Sequence, residues 1–254
     1  LTIVFLIVFI DLVGFGILFP LIPLYAEQFG ASELVIGVLI AAYSITQFIF
    51  APILGRLSDQ YGRRPVLLVS LAGSVIAWTL FGLADGLLLL FVARLLAGAM
   101  GGNIATAHAY IADITTAETR AEALGLISAA HGLGLIFGPA LGGLFSSPTV
   151  VVAAEGLLPA IVPITQFTLP SFVAAAITAV NLLGAIVFLP ESNRSPQRES
   201  KNEGPLSRLK DLRHSLTDRS MAGLIGGMFL LLWAFSVQES MFVLFTGDTF
   251  GFGP

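Results

Sequence analysis

Gly55-Arg56-Leu57-Ser58-Asp59-Gln60-Tyr61-Gly62-Arg63-Arg64-Pro65 is a charged, glycine-punctuated segment of the form G-x-x-x-D-x-x-G-R-R-P, and long apolar runs flank it on both sides. The runs decide the fold class. Several reach the roughly 20 residues that cross a bilayer as helix, and where no water satisfies backbone groups helix is the default form. The whole chain agrees: 56% of its residues are hydrophobic and 11% charged, with a mean hydropathy of +0.92, whereas water-soluble domains carry about a quarter charged residues. The absence of cysteine excludes disulfides and thiolate metal sites, and three scattered histidines make no metal cluster. An all-α membrane protein is expected, with no catalytic constellation, no cofactor or metal, and no nucleic-acid partner.

Apolar runs separated by Gly, Pro and charge clusters place spans at roughly 2–25, 34–56, 65–85, 87–112, 121–146, 170–190 and 220–247. The first carries Asp11 and Pro20 and lacks a small-residue cleavage site, so it reads as a spanning helix and not as a cleaved signal. Arg56, Arg63 and Arg64 follow the second span, Arg120 the fourth, and seven further basic residues from Arg194 to Arg219 the sixth. The alternate loops hold Glu27, Glu33, Asp85, Glu155 and Asp248 without lysine or arginine, so the positive-inside rule predicts a cytoplasmic N-terminus in a cell membrane.

Residues 1–190 are thus expected to form a six-helix bundle, 191–219 a polar cytoplasmic linker, and 220–254 a seventh helix opening a second bundle. Within the linker, Leu206, Leu209, Leu212 and Leu216 interleave with basic residues, a pattern for a short surface helix. The stretch Ser147–Leu169 is apolar but broken by Glu155, Pro159 and Pro163, and is expected to lie in the interface without crossing. Because the chain starts at Leu1 and stops at Gly251-Phe252-Gly253-Pro254, where a further helix would be expected, it reads as part of a longer protein.

The opening segment resembles the loop between helices 2 and 3 of the major facilitator superfamily, and other motifs extend the resemblance. Asp11-Leu12-Val13-Gly14-Phe15-Gly16-Ile17-Leu18-Phe19-Pro20-Leu21-Ile22-Pro23 is similar to the helix 1 signature of twelve-span drug/proton antiporters. Arg94-Leu95-Leu96-Ala97-Gly98 resembles the R-x-x-x-G element of helix 4, and Ala112-Asp113 followed by Arg120 fits the end of that helix. Gly134-Leu135-Ile136-Phe137-Gly138-Pro139-Ala140-Leu141-Gly142-Gly143 resembles the antiporter motif of helix 5, which marks exporters. Over residues 5–145 the likeness is to tetracycline-efflux carriers.

The resemblance implies a six-helix N-terminal bundle built from inverted three-helix repeats, with helices 1, 4 and 7 lining the cavity. Those helices carry the intramembrane ionisable residues Asp11, Arg94, His108 and Glu239. A charge inside the bilayer is costly unless paired or hydrated, which makes each a functional candidate. At about 1.5 Å per residue, Asp11 lies roughly 14 Å and Arg94 roughly 20 Å above the inner face of a ~30 Å core, so the two are expected to pair and couple proton binding to transport. The alternative is a permanent ion pair that fixes packing.

By resemblance, Asp59, Arg63 and Asp113 form a cytoplasmic gate network, Gly55 permits approach of the opposite bundle, Gly62 a tight turn, and Arg64 completes the motif. Gly134 and Gly138 offer a small-residue packing face, and Pro139 with Gly142 and Gly143 permits a bend in helix 5. Tyr43, Gln47, Asn103, Thr106, Tyr110 and Asn181 are polar groups that either line a cavity or join helices. The expectation is a proton-coupled antiporter exporting a small hydrophobic compound, tetracycline-like drugs included, with substrate, protons and lipid as its partners. An uptake carrier of the same superfamily and a non-transporting membrane sensor are the alternatives.

Overall fold

A computed structural model describes residues 1–101, 103–157, 164–192 and most positions between 221 and 236. The chain divides into two compact units, Leu1–Pro196 and Gln197–Gly253. In the second, the described positions between 221 and 236 are helical, in line with the expected seventh helix. Its remainder, with Glu239, the linker helix over Leu206–Leu216 and the C-terminal residues, lies outside the described residues.

The described residues of the first unit are helical throughout, in the order α1 (Thr2–Leu18), α2 (Leu21–Gln28), α3 (Glu33–Tyr61), α4 (Arg63–Gly82), α5 (Leu87–Met100), α6 (Asn103–Ile114), α7 (Ala117–Ser146), α8 (Pro148–Leu157) and α9 (Thr168–Phe188). Six segments are long and apolar enough to span: Thr2–Gln28, Glu33–Tyr61, Arg63–Gly82, Leu87–Ile114, Ala117–Ser146 and Thr168–Phe188. They match the first six sequence-predicted spans. The 10 described residues of α8 rise about 15 Å, and 158–163 of the stretch expected at the interface lie outside the described residues.

Spans 1 and 4 are each two helices. Pro20 has no N–H and its ring displaces the carbonyl one turn earlier, so α1 stops at Leu18 and α2 restarts at Leu21. In span 4 the helix ends at Met100 and resumes at Asn103. The Gly101 carbonyl at that interruption accepts a hydrogen bond from Gln47 Nε2 of α3 at 2.9 Å. A side chain thereby satisfies a backbone group for which lipid offers no partner.

Span 1 packs most extensively on span 5 and also on span 6, while span 3 packs on spans 4 and 6 and span 2 on span 4. Two apolar clusters result. One gathers Ile17, Ile22, Tyr25, Leu39, Phe81 and Leu90, the other Val4, Ile7, Leu67, Leu71, Ile111 and Ile127. Tyr25 stacks on Phe167 with centroids 4.9 Å apart and donates its hydroxyl to the Ala84 carbonyl at 2.9 Å, joining span 1 to the end of span 3. Large apolar side chains on the outside, such as Phe48 and Leu88, are the surface a lipid-embedded bundle presents.

Candidate functional site

The charged site is built on the turn between α3 and α4. Gly62 sits at φ +103°, in the left-handed region, and lets α4 begin immediately after α3 ends at Tyr61. That turn leaves Asp59 and Arg63 on adjoining helix ends. Arg63 Nη1 donates to Asp59 Oδ1 at 2.5 Å and to Ser58 Oγ at 2.7 Å, and its Nε donates to Asp113 Oδ2 at 3.0 Å. The three charges expected to meet do so. The arginine side chain is 12% exposed, Asp113 29% and Asp59 54%, so a shielded cation bridges two wetter carboxylates. Arg120 donates from Nη2 to the Ala112 carbonyl at 3.1 Å and so closes the C-terminal end of α6.

Arg64 points elsewhere, donating from Nη2 to the Ile186 carbonyl of α9 at 2.7 Å. Gly55 has open space where a Cβ would sit.

Inside the bundle, Arg94 is 1% exposed and lies over the Tyr43 ring, 4.7 Å from its centroid. The sequence spacing explains the arrangement: Gly98, one turn on, lies so close to the Tyr43 carbonyl and Thr46 that a Cβ would collide with both. A cation over an aromatic face in a desolvated site is favourable by about 2 kcal/mol. Arg94 Nε and Nη1 have no hydrogen-bond partner among the described residues. At that depth the guanidinium meets the face of Tyr43. Asp11 is partly buried and has interactions of its own. It borders a small void, about 10 Å³, otherwise lined by Ile7, Val8, Leu67, Leu71 and Ile104.

Four of the helix 1 and helix 5 glycines interlock. Cβ atoms added at Gly134 and Gly138 would fall 2.5 Å from Leu12 Cβ and 2.6 Å from Gly16 Cα, and one at Gly142 would run into the Ile17 carbonyl. Gly16 in turn faces Pro139 Cδ at 3.2 Å. Gly143 faces open space.

The polar groups left open by sequence divide. Asn181 is buried and donates Nδ2 to the Ile7 carbonyl at 2.9 Å, and Tyr110 donates its hydroxyl to the Pro190 carbonyl at 2.9 Å, so both join helices. Thr106 is 1% exposed, whereas Tyr43 and Gln47 are partly exposed and neighbour one another. Asn103 opens α6, and its side chain lies outside the described residues. Sequence reasoning missed Glu191, whose carboxylate accepts hydrogen bonds from the Arg63 and Arg64 backbone N–H groups.

Comparison with known proteins agrees with this architecture. Residues 4–254 match the family model described as Major Facilitator Superfamily. The class C tetracycline resistance protein of Escherichia coli is 33% identical over 247 residues, covering 95% of this chain and 57% of that protein. Multidrug resistance protein 2 of Bacillus subtilis is 30% identical over 250 residues, covering 97% and 58%. The chain therefore spans somewhat over half the length of these relatives. Among solved structures, the human organic anion transporter MFSD10 (TETRAN) aligns with a TM-score of 0.70 at 25% identity, over 99% of this chain and 66% of that one. A bacterial homologue of the human lysosomal transporter Spinster, inward-facing and unoccupied, aligns at 0.78 with 16% identity over 99% and 56%, a likeness of fold. With its bundle, its charged turn and its interlocking glycines in place, the chain belongs to the major facilitator superfamily and fits the N-terminal half of that fold.

Proposed function

We propose that the protein is a proton-coupled exporter of a small hydrophobic compound, in the manner of tetracycline efflux, working by alternating access in the cell membrane with a cytoplasmic N-terminus. The observation that carries the reading is the pair of intramembrane charges that pack differently. Arg94 is sealed beneath Tyr43 and fixed, while Asp11 is partly exposed, on the span that packs against the helix 5 glycines. A carboxylate that is only partly buried within a membrane span keeps the access that proton exchange needs, and an intramembrane acid is a functional candidate by default. The tetracycline and multidrug resistance relatives support drugs as the exported class.

In this scheme the Asp59–Arg63–Asp113 network holds the cytoplasmic side shut, and its rupture accompanies opening. Gly55, with open space above it, leaves α3 free for close approach by another helix. Tyr43, Gln47, Asn103 and Thr106 are the candidate cavity groups on spans 2 and 4. The residues present supply binding and proton transfer, and no enzymatic step is assigned.

The test is proton movement in energised inside-out vesicles carrying the full-length protein, challenged with tetracycline, lipophilic cations and organic anions. Substrate-triggered loss of the pH gradient that disappears in Asp11→Asn, with the variant still in the membrane, is the expected result. Unchanged coupled export by Asp11→Asn would remove Asp11 from the mechanism, and silence towards every compound would favour a metabolite carrier or a non-transporting relative.

A further inference from the structure

We infer that Glu191 is a positioning residue of the cytoplasmic gate, holding the corner from which Arg63 reaches its two carboxylates and fixing the start of the linker to that corner. Its carboxylate accepts from Arg63 N at 2.9 Å through Oε1 and from Arg64 N at 3.1 Å through Oε2. These are two of the four N–H groups that a helix leaves without partners at its N-terminus, and a negative charge there also meets the positive end of the helix dipole. Gly62 cannot cap α4 itself, since it has no side chain. A Cβ at that position would lie 2.5 Å from Glu191 Oε2, so the glycine leaves room for the carboxylate as well as supplying the positive φ. One missing side chain thus serves two requirements.

Three further contacts fasten the same stretch. Pro190 accepts from the Tyr110 hydroxyl at 2.9 Å, the Ile186 carbonyl accepts from Arg64 Nη2 at 2.7 Å, and Ser192 Oγ donates to Asp113 Oδ2 at 3.3 Å. The end of span 6 is therefore bound to both arms of the gate, the α3–α4 turn and the end of α6. Arg63 donates its side chain to Asp59 and Asp113 and its backbone N–H to a third carboxylate. Without Glu191 the first turn of α4 is free to fray, and the guanidinium no longer has a fixed origin.

The inference rests on the gate proposed above, and the test reads the gate without requiring transport. Hydrogen exchange is measured on the full-length protein in lipid nanodiscs for the wild type, Glu191→Ala and Glu191→Gln. In Glu191→Ala the segment 59–66 is expected to exchange roughly tenfold faster, from the loss of charge-assisted hydrogen bonds. The segment 108–114, whose backbone Glu191 does not cap but which carries Asp113, is expected to exchange several-fold faster too. Glu191→Gln retains one acceptor oxygen and falls between, and it decides the matter if the alanine variant does not reach the membrane. Acceleration confined to 59–66 would reduce Glu191 to a local cap, and unchanged exchange in both segments would remove it altogether; either overturns the proposal. A wild type that moves no substrate in vesicles would refute the transport reading while leaving this comparison decisive.

Discussion

Gly138→Ala is the perturbation most directly set by the packing. A Cβ at Gly138 would lie 2.6 Å from Gly16 Cα and 3.0 Å from Ile17 N, and ordinary contact begins at 3.4 Å. The obstruction is backbone, so no side-chain rotation relieves it. The helices must part locally by the difference, 3.4 − 2.6, or about 0.8 Å. A gap of that size forfeits a quarter to a half of each dispersion contact across the affected interface, and overpacking of this kind costs roughly 1–3 kcal/mol. Replacing glycine by alanine also favours helix by about 1 kcal/mol, which would blur a single measurement. Gly143 supplies the control, since it lies in the same helix with nothing within 4 Å of its Cβ position and shares the propensity gain without the collision. Thermal unfolding of the purified full-length protein is expected to place Gly138→Ala below Gly143→Ala by roughly 2–12 °C, at about 2–4 °C per kcal/mol. Equal midpoints, or a lower one for Gly143→Ala, would refute the assignment of these glycines to the helix 1 interface.

Two other substitutions follow from named contacts. Arg63→Gln removes the bridge to Asp59 and Asp113; because Asp59 is 54% exposed, the stability loss is expected to stay near 1 kcal/mol, while exchange of the C-terminal ends of α3 and α6 rises, and no change in exchange would separate this network from gating. Tyr25→Phe leaves the Ala84 carbonyl without its hydroxyl partner while keeping the stack on Phe167. A loss of about 1–2 kcal/mol is expected, read as a fall in unfolding temperature with insertion unchanged.

The spans were legible because hydropathy acts over about 20 residues at a time and is insensitive to detail. Interruptions inside them were less so. Pro20 coincides with one that the sequence reading passed over as a single span, and α3 and α7 carry Pro52 and Pro139 without stopping, so proline alone does not tell a break from a tolerated bend. The interruption after Met100 depends on Gln47, 54 residues earlier, supplying a hydrogen bond to Gly101. Motif resemblance brought Asp59, Arg63 and Asp113 together as the structure has them, whereas depth alone did not foresee the aromatic cover of Arg94, which depends on Gly98 letting the Tyr43 backbone come close. Glu191 stands 128 residues from Arg63. Its one local signal is an acid placed directly after the last apolar residues of span 6 and ahead of the linker's first arginine, Arg194.

The two-part construction of span 4 has a mechanical meaning. On an uninterrupted helix Arg94 and Asp113 would share one rigid rod, and any swing of the cytoplasmic end would lever the sealed guanidinium against its aromatic cover. Here Arg94 belongs to α5 and Asp113 to α6, joined where the Gln47 amide pins the Gly101 carbonyl. A tilt between α5 and α6 strains this neutral hydrogen bond, worth about 1 kcal/mol, together with the packing of α6 on its neighbours. Such a joint lets α5 stay anchored on Tyr43 while α6 tilts with the Asp59–Arg63–Asp113 corner.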